Sequence, residues 1–324
     1  MNDIARLSAR AFSESRAPIK EFGDALLEIG MANPNVVAVS TDSSSGSGLS
    51  PFKAAFPERH IELGIMEQGA MGISAGMATA GKVPFFAAIA PFVTARSFEM
   101  FKNDLGYMEQ NVKVVGRCCG LTYSQLGPTH HSIDDCAMLR TIPGVTIVSP
   151  GDPVTVKKAA KALATMIGPA YLRIGSPNMP VLYDEDLPFE LGKGILVQDG
   201  SDVTLVGSGT ALANTVKAAR LLAATGLSVR VIDIHTIKPL DEAIILKAAE
   251  ETGAIITVEE HYVAGGLGSV IAEFLSQKRP TRMKLIGIVD RFVTNGPYEG
   301  LLGMQGLLPE QIAVTVREFL ASKK

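Results

Sequence analysis

The amino-acid sequence predicts an α/β protein: a doubly wound, mainly parallel sheet followed by a smaller α/β domain. Three observations lead there. Short β-branched runs alternate with longer helical patterns through nearly all of the 324 residues. Several short runs are apolar without alternation, as strands are when helices cover both faces of a sheet. The alternation is interrupted once, at 175–192, by Pro177, Pro180, Pro188 and the acidic cluster Asp184, Glu185 and Asp186, and then resumes.

The elements follow in order. A helix over about 19–31 leads to a strand at 36–40. Further strands are read at 83–89, 112–118, 145–148 and 170–174, and helices at 66–80, 94–108, 134–140 and 153–166. Past the break, strands at 203–206, 228–234, 254–259 and 283–288 alternate with helices at 211–224, 241–251 and 267–276. The expected divisions are an N-terminal extension (1–17), a first domain (18–175), a linker (176–192) and a second domain (193–324).

Composition excludes several classes of function. With a net charge of -3 and 19% charged residues, nothing points to nucleic acid or an acidic membrane surface. The three cysteines, Cys118, Cys119 and Cys136, form neither a disulfide framework nor a zinc spacing. They read as small buried residues in a reducing compartment. Residues 1–16 mix acid and base without an apolar core, and the longest apolar run, 83–93, is short and Pro-broken. Neither a secretory signal nor a membrane span is expected, so the chain reads as soluble and cytoplasmic.

The most informative segment runs Ile61-Glu62-Leu63-Gly64-Ile65-Met66-Glu67-Gln68-Gly69. A strand enters a Gly turn and a carboxylate appears in the first helical turn. Glu67 therefore sits where open α/β sheets place ligands, although an acid at a helix start also needs no more than the helix dipole to explain it. Phe92 and Phe98, six residues apart, read unaided as core packing. His130 and His131, in the loop Gly127-Pro128-Thr129-His130-His131 with Asp134 and Asp135 nearby, read as a solvated pair, as site residues, or as a weak metal pattern. Arg173, at a strand end, reads as an ion pair or an anion ligand. Asp42 follows the first strand in a Ser/Gly loop whose serines could donate to a phosphate.

In combination these residues resemble the transketolase superfamily. The run through Glu67 is similar to its G-I-x-E motif, whose glutamate hydrogen-bonds the ring nitrogen of the aminopyrimidine of thiamine diphosphate. That bond favours the imino tautomer that deprotonates the thiazolium carbon. The resemblance implies a pyrimidine-binding domain at 18–175 and a transketolase C-terminal domain at 193–324. It gives Glu67 the activating role, Phe92 the stacking position on the pyrimidine, and Phe98 a flanking position. Ile65 and Asp42 are implied to lie near the cofactor. Gly127-Pro128-Thr129-His130 matches the substrate loop, so His130 is implied to assist proton movement on the donor, and Arg173 to bind a substrate phosphate. The runs 232–241, 258–261 and 265–269 match landmarks of the C-terminal domain and read as packing and dimer contacts.

The chain departs from the family pattern at Ile19, Cys118 and Leu126, where an Arg, a His and an acid are usual, and at Ala95, where an aromatic or an Arg is common. Arg96 and His131 receive no role. No Gly-Asp-Gly occurs anywhere, so the resemblance implies that Mg²⁺ and the diphosphate are held by a separate N-terminal-half subunit in an α2β2 assembly, with no metal ligand on this chain. The expected activity is transfer of a two-carbon ketol unit from a ketose to an aldose. The alternative is the β subunit of a 2-oxo acid dehydrogenase, which shares the glutamate and differs in the substrate loop.

Overall fold

A computed structural model of the chain describes residues 7–322; the part of the N-terminal reading that concerns residues 1–6 lies outside them. Two sheets carry the architecture. The first has seven strands in the spatial order Thr236–Lys238, Thr146–Val148, Ala170–Ile174, Lys113–Arg117, Val83–Ile89, Val36–Ser40, His60–Glu62. All neighbours are parallel except the Thr236–Lys238 edge. Helices Pro18–Ala32, Ser50–Ala55 and Pro153–Thr165 lie against one core, built on Phe22, Phe52, Phe85 and Leu172. Helix Glu67–Thr79 and the segment 98–107 lie against the opposite core, built on Val39, Met71, Phe86 and Phe101. With both faces covered, the strands read as unbroken apolar runs, which is the sequence pattern that predicted them. The chain leaves Val36–Ser40 to one side for His60–Glu62 and to the other for Val83–Ile89. That reversal opens a crevice at the carboxyl ends of the strands.

The second sheet runs Arg282–Ile288, Ala254–Tyr262, Val203–Gly207, Val229–Asp233, Ile195–Gln198, with only the last strand antiparallel. The edge strand Ile195–Gln198 and the C-terminal helices Tyr298–Met304 and Pro309–Ala321 were not among the expected elements. No helix among the described residues is long and apolar enough to cross a membrane.

Two segments are more tightly integrated than the sequence indicates, and one expected helix needs correction. The segment 176–192, read as the linker, is packed: Met179–Pro180 pairs with Ser15–Arg16 of the expected extension, and Leu182, Tyr183 and Leu187 are buried in the core of the second half. The run 232–241 supplies a strand to the first sheet, so the two halves share a ladder. The helix expected over 94–108 is broken into Ala90–Val93, Phe98–Met100 and a π-helical stretch, Phe101–Tyr107. The cause is local. The Thr94 hydroxyl donates to the Ala90 carbonyl (2.7 Å) and the Ser97 hydroxyl to the Phe92 carbonyl (2.9 Å). Hydroxyls thus compete with backbone N–H groups for the carbonyls of the first turn. The break leaves Arg96 on a loop.

Buried polar contacts also join the halves. The Glu260 carboxylate accepts from the Leu121 N–H (2.5 Å), the Thr210 hydroxyl (2.6 Å) and the Tyr298 hydroxyl (2.5 Å). Three donors satisfy a carboxylate that would otherwise be costly to bury.

Candidate active site

The rim of the crevice is built from the loops that follow three strands. After His60–Glu62 the chain turns through Gly64 into helix Glu67–Thr79. Glu62 braces this turn, accepting from the N–H of Asp42 (2.6 Å) and of Gly64 (3.1 Å). Gly64 has φ 70°, and a Cβ there would meet nothing. The left-handed backbone, not lack of space, calls for glycine. This turn delivers Glu67 to the first position of the helix with its side chain buried.

After Val83–Ile89, the broken helix brings Phe92 and Arg96 to the same place. Arg96 Nη1 donates to Glu67 Oε2 at 2.8 Å, and its guanidinium lies 3.9 Å from the centre of the Phe92 ring. The Gln68 amide donates to the Arg96 carbonyl at 3.0 Å. After Lys113–Arg117, the long loop returns His130, whose ring meets Phe92 edge to face at 5.2 Å and Tyr123 at 5.5 Å. The Thr129 hydroxyl and His130 Nδ1 are 2.9 Å apart. Burial, and secondarily the charge of Arg96, hold the His130 imidazole below its ordinary pKa. Both effects favour the neutral ring, the form able to accept a proton. Glu67, Phe92 and His130, three residues singled out from sequence, form one contiguous cluster with Arg96 and Tyr123.

The other expected site residues lie elsewhere. Ile65 stands on the rim, 76% exposed, and Asp42 is exposed on the neighbouring loop with φ 52°; neither side chain joins the cluster. Phe98 is half-buried and packs against the core that contains Val39 and Phe101. It begins a new helical turn after the break. Of the departures from the family pattern, Ile19 packs half-buried against the first core, Cys118 is buried with φ 59°, and Leu126 is exposed.

Arg173 is corrected outright. Its side chain is buried and its Nε donates to both oxygens of the equally buried Asp135, at 3.1 and 2.9 Å. Nη2 donates to the carbonyls of Ser132 and Glu260, each at 3.0 Å. Asp135 also accepts from the Tyr171 hydroxyl at 2.8 Å. A guanidinium committed in this way is an internal staple between the two halves and has no fork to offer a phosphate.

Asp135, Cys136 and His261 bring their ligand atoms within 4.8 Å of one another. The donor set fits a metal poorly. Asp135 is already neutralised by Arg173, and burial pushes the Cys136 thiol well above its usual range, so it would not bind as thiolate. The His130/His131 and Asp134/Asp135 pairs do not gather into a site. His131 is buried, and neither ring nitrogen has a hydrogen-bond partner among the described residues; the fold offers no physical account of this.

Two functional candidates escaped the sequence reading. Arg96 had no assigned role, because its approach to Glu67 depends on the broken helix. Arg117 ends its strand on the same rim. Its Nε donates to Ser47 Oγ (3.1 Å), which also lies 3.2 Å from Ser43 Oγ, and its Nη1 is 3.2 Å from Cys118 Sγ. Among the described residues it makes no ion pair. The serine-rich stretch after the first strand was the available signal.

The chain is similar to known proteins along most of its length. Residues 15–181 match the family model "Transketolase, pyrimidine binding domain", and residues 192–312 match "Transketolase, C-terminal domain". The chain is 42% identical over 302 residues to an apulose-4-phosphate transketolase subunit of Phocaeicola vulgatus, covering 93% of this chain and 96% of that one. It is 33% identical over 297 residues to a 6-deoxy-6-sulfo-D-fructose transketolase subunit of a Clostridium species, covering 92% and 90%. Among solved structures it superimposes with a TM-score of 0.89 and 36% identity on a split-gene transketolase described as an inactive β4 tetramer, covering 95% of this chain and 99% of that one.

Proposed function

This chain belongs to the transketolase family, and on that premise we propose that it is the C-terminal-half subunit of a split, thiamine-diphosphate-dependent transketolase of the cytoplasm. It transfers a two-carbon ketol unit from a ketose to an aldose. The modules are the pyrimidine-binding domain at 18–175 and the C-terminal domain at 193–324, with 176–192 packed between them. The observation that carries this reading is the juxtaposition of a buried carboxylate, an aromatic face and an imidazole at the strand-order reversal.

The residues fit the pyrimidine end of the cofactor and not its other end. Glu67 is buried, and its hydrogen-bond partner Arg96 is a mobile type of side chain, 41% exposed. A planar nitrogen heterocycle can therefore take that place against Phe92. When bound, thiamine diphosphate supplies the nucleophilic carbon for the transfer. Glu67 fixes the tautomer of the pyrimidine by holding a proton at its ring nitrogen. Phe92 orients the ring by stacking, and the apolar surroundings strengthen the Glu67 contact by excluding water. His130, positioned by Thr129 at Nδ1, holds or moves a proton at the hydroxyls of the sugar. Diphosphate and Mg²⁺ fall to an N-terminal-half partner in an α2β2 assembly, since this chain has no Gly-Asp-Gly. Two relatives are named for substrates with an anionic group, one a phosphate and one a sulfo group. Arg117, with Ser47 and Ser43 beside it, is the guanidinium we propose for such a group here.

The test reconstitutes the chain with an N-terminal-half subunit, thiamine diphosphate and Mg²⁺. Ferricyanide reduction is followed with a ketose and, in parallel, with a 2-oxo acid. Ketose-dependent reduction that requires both subunits and disappears with Glu67→Gln is the expected result. Reduction by the 2-oxo acid alone would replace this reading with that of a 2-oxo acid dehydrogenase β subunit.

A further inference from the structure

Arg96 occupies the two contacts that a pyrimidine would use. Its Nη1 is on Glu67 Oε2 at 2.8 Å, and its guanidinium plane lies against Phe92 at 3.9 Å from the ring centre. A guanidinium is planar, carries N–H donors on its edge and stacks through its face, which are the demands that Glu67 and Phe92 make together. The stacking distance is van der Waals contact, so no second ring fits on that face while Arg96 is there. The His130 edge, at 5.2 Å, already flanks Phe92.

The way Arg96 is held suits a part that moves. Its backbone is pinned, with the N–H on the Pro91 carbonyl (3.1 Å) and the carbonyl on the Gln68 amide (3.0 Å). Its side chain is part-exposed and outside both cores. Glu67 by contrast is buried, and it would be a carboxylate without a partner if the guanidinium left and nothing replaced it, a strongly unfavourable state.

We propose that Arg96 is a displaceable stand-in for the pyrimidine ring: it keeps Glu67 paired and in place while the cofactor is absent, and it must withdraw as the cofactor enters. The inference rests on the functional reading above. In its terms the apparent affinity for cofactor is set partly by competition with the chain's own side chain. Removing the guanidinium raises the energy of the cofactor-free state, where Glu67 loses its partner, and leaves the loaded state largely untouched. The affinity for cofactor should therefore increase. A residue that only supports the fold would shift affinity the other way or not at all.

The experiment uses the assembled complex with its N-terminal-half subunit and Mg²⁺, titrated with thiamine diphosphate by isothermal calorimetry, with association followed by stopped flow. Arg96→Ala should tighten the dissociation constant roughly ten- to a hundredfold and speed association. Arg96→Lys, which retains the charge beside Glu67 but loses the planar stack, should fall between. On the isolated chain, Arg96→Ala should lower the melting temperature, which checks that the pair stabilises the cofactor-free form. An unchanged or weaker dissociation constant for Arg96→Ala would overturn the inference while leaving the functional reading intact. No binding by the wild-type complex would instead overturn the functional reading, and the inference with it.

Discussion

Replacing Arg173 by Ala separates an internal staple from a substrate ligand. The wild-type guanidinium makes two bonds to Asp135, at 3.1 and 2.9 Å, and two to backbone carbonyls at 3.0 Å, all inside the protein. Truncation leaves the Asp135 carboxylate buried with the Tyr171 hydroxyl at 2.8 Å but no cation beside it. Breaking one side of a buried pair costs about 3–5 kcal/mol. Because Arg173 also bonds Glu260 of the second half, the loss falls on the docking of the two halves. At about 2–4 °C per kcal/mol for domains of this size, the melting temperature should fall by roughly 6–20 °C. The double variant Arg173→Met with Asp135→Leu should recover much of that loss, since it removes both charges and fills the space with apolar atoms. Thermal unfolding followed by far-UV circular dichroism reads both variants. The reasoning fails if Arg173→Ala melts like wild type while the assembled enzyme loses its preference for phosphorylated over unphosphorylated sugars. That outcome would return Arg173 to the substrate.

Four further outcomes follow from the structure. His130→Ala should slow donor cleavage about 10²–10⁴-fold without weakening thiamine diphosphate binding. Because the imidazole is held below its ordinary pKa, the acid limb of the wild-type pH–rate profile should lie below about pH 6.5; a limb above that value contradicts the assignment. Arg117→Ala should reduce the kcat/KM ratio of phosphorylated to neutral sugar by about tenfold or more, the worth of one charge-assisted bond, and an unchanged ratio removes Arg117 from the substrate. Burial pushes Asp233 up to about 8, far above an unfolded aspartate. The folded state thus binds the extra proton between about pH 4 and 8, so this group's stabilising contribution is complete at low pH and is lost as pH rises through 8. Asp233→Asn should flatten that decline in denaturant midpoint between pH 5 and 9, and an unaltered slope would show that Asp233 does not titrate in this window.

By itself the sequence determined the class of fold, the strands of both sheets except short edge ones, and the helix that begins at Glu67, because each is recorded in local apolar periodicity. It also determined the resemblance through Glu67, Phe92 and His130, whose motifs are short and contiguous. The terminal helix Pro309–Ala321 escaped the reading, although Pro stands at its start and Ile312, Ala313 and Val316 share its buried face. Only the tertiary structure decided the partners. Arg173 reads alike in sequence whether it faces a phosphate or Asp135, 38 residues away. The strand Thr236–Lys238 could not be assigned to the first sheet, because it pairs across the domain division with Thr146–Val148. The contact of Arg96 with Glu67 turned on two hydroxyls that end a helix the periodicity would have continued. Local pattern specifies what an element is. Which charge meets which depends on long-range packing, where a few ångströms decide between an internal salt bridge and an open site.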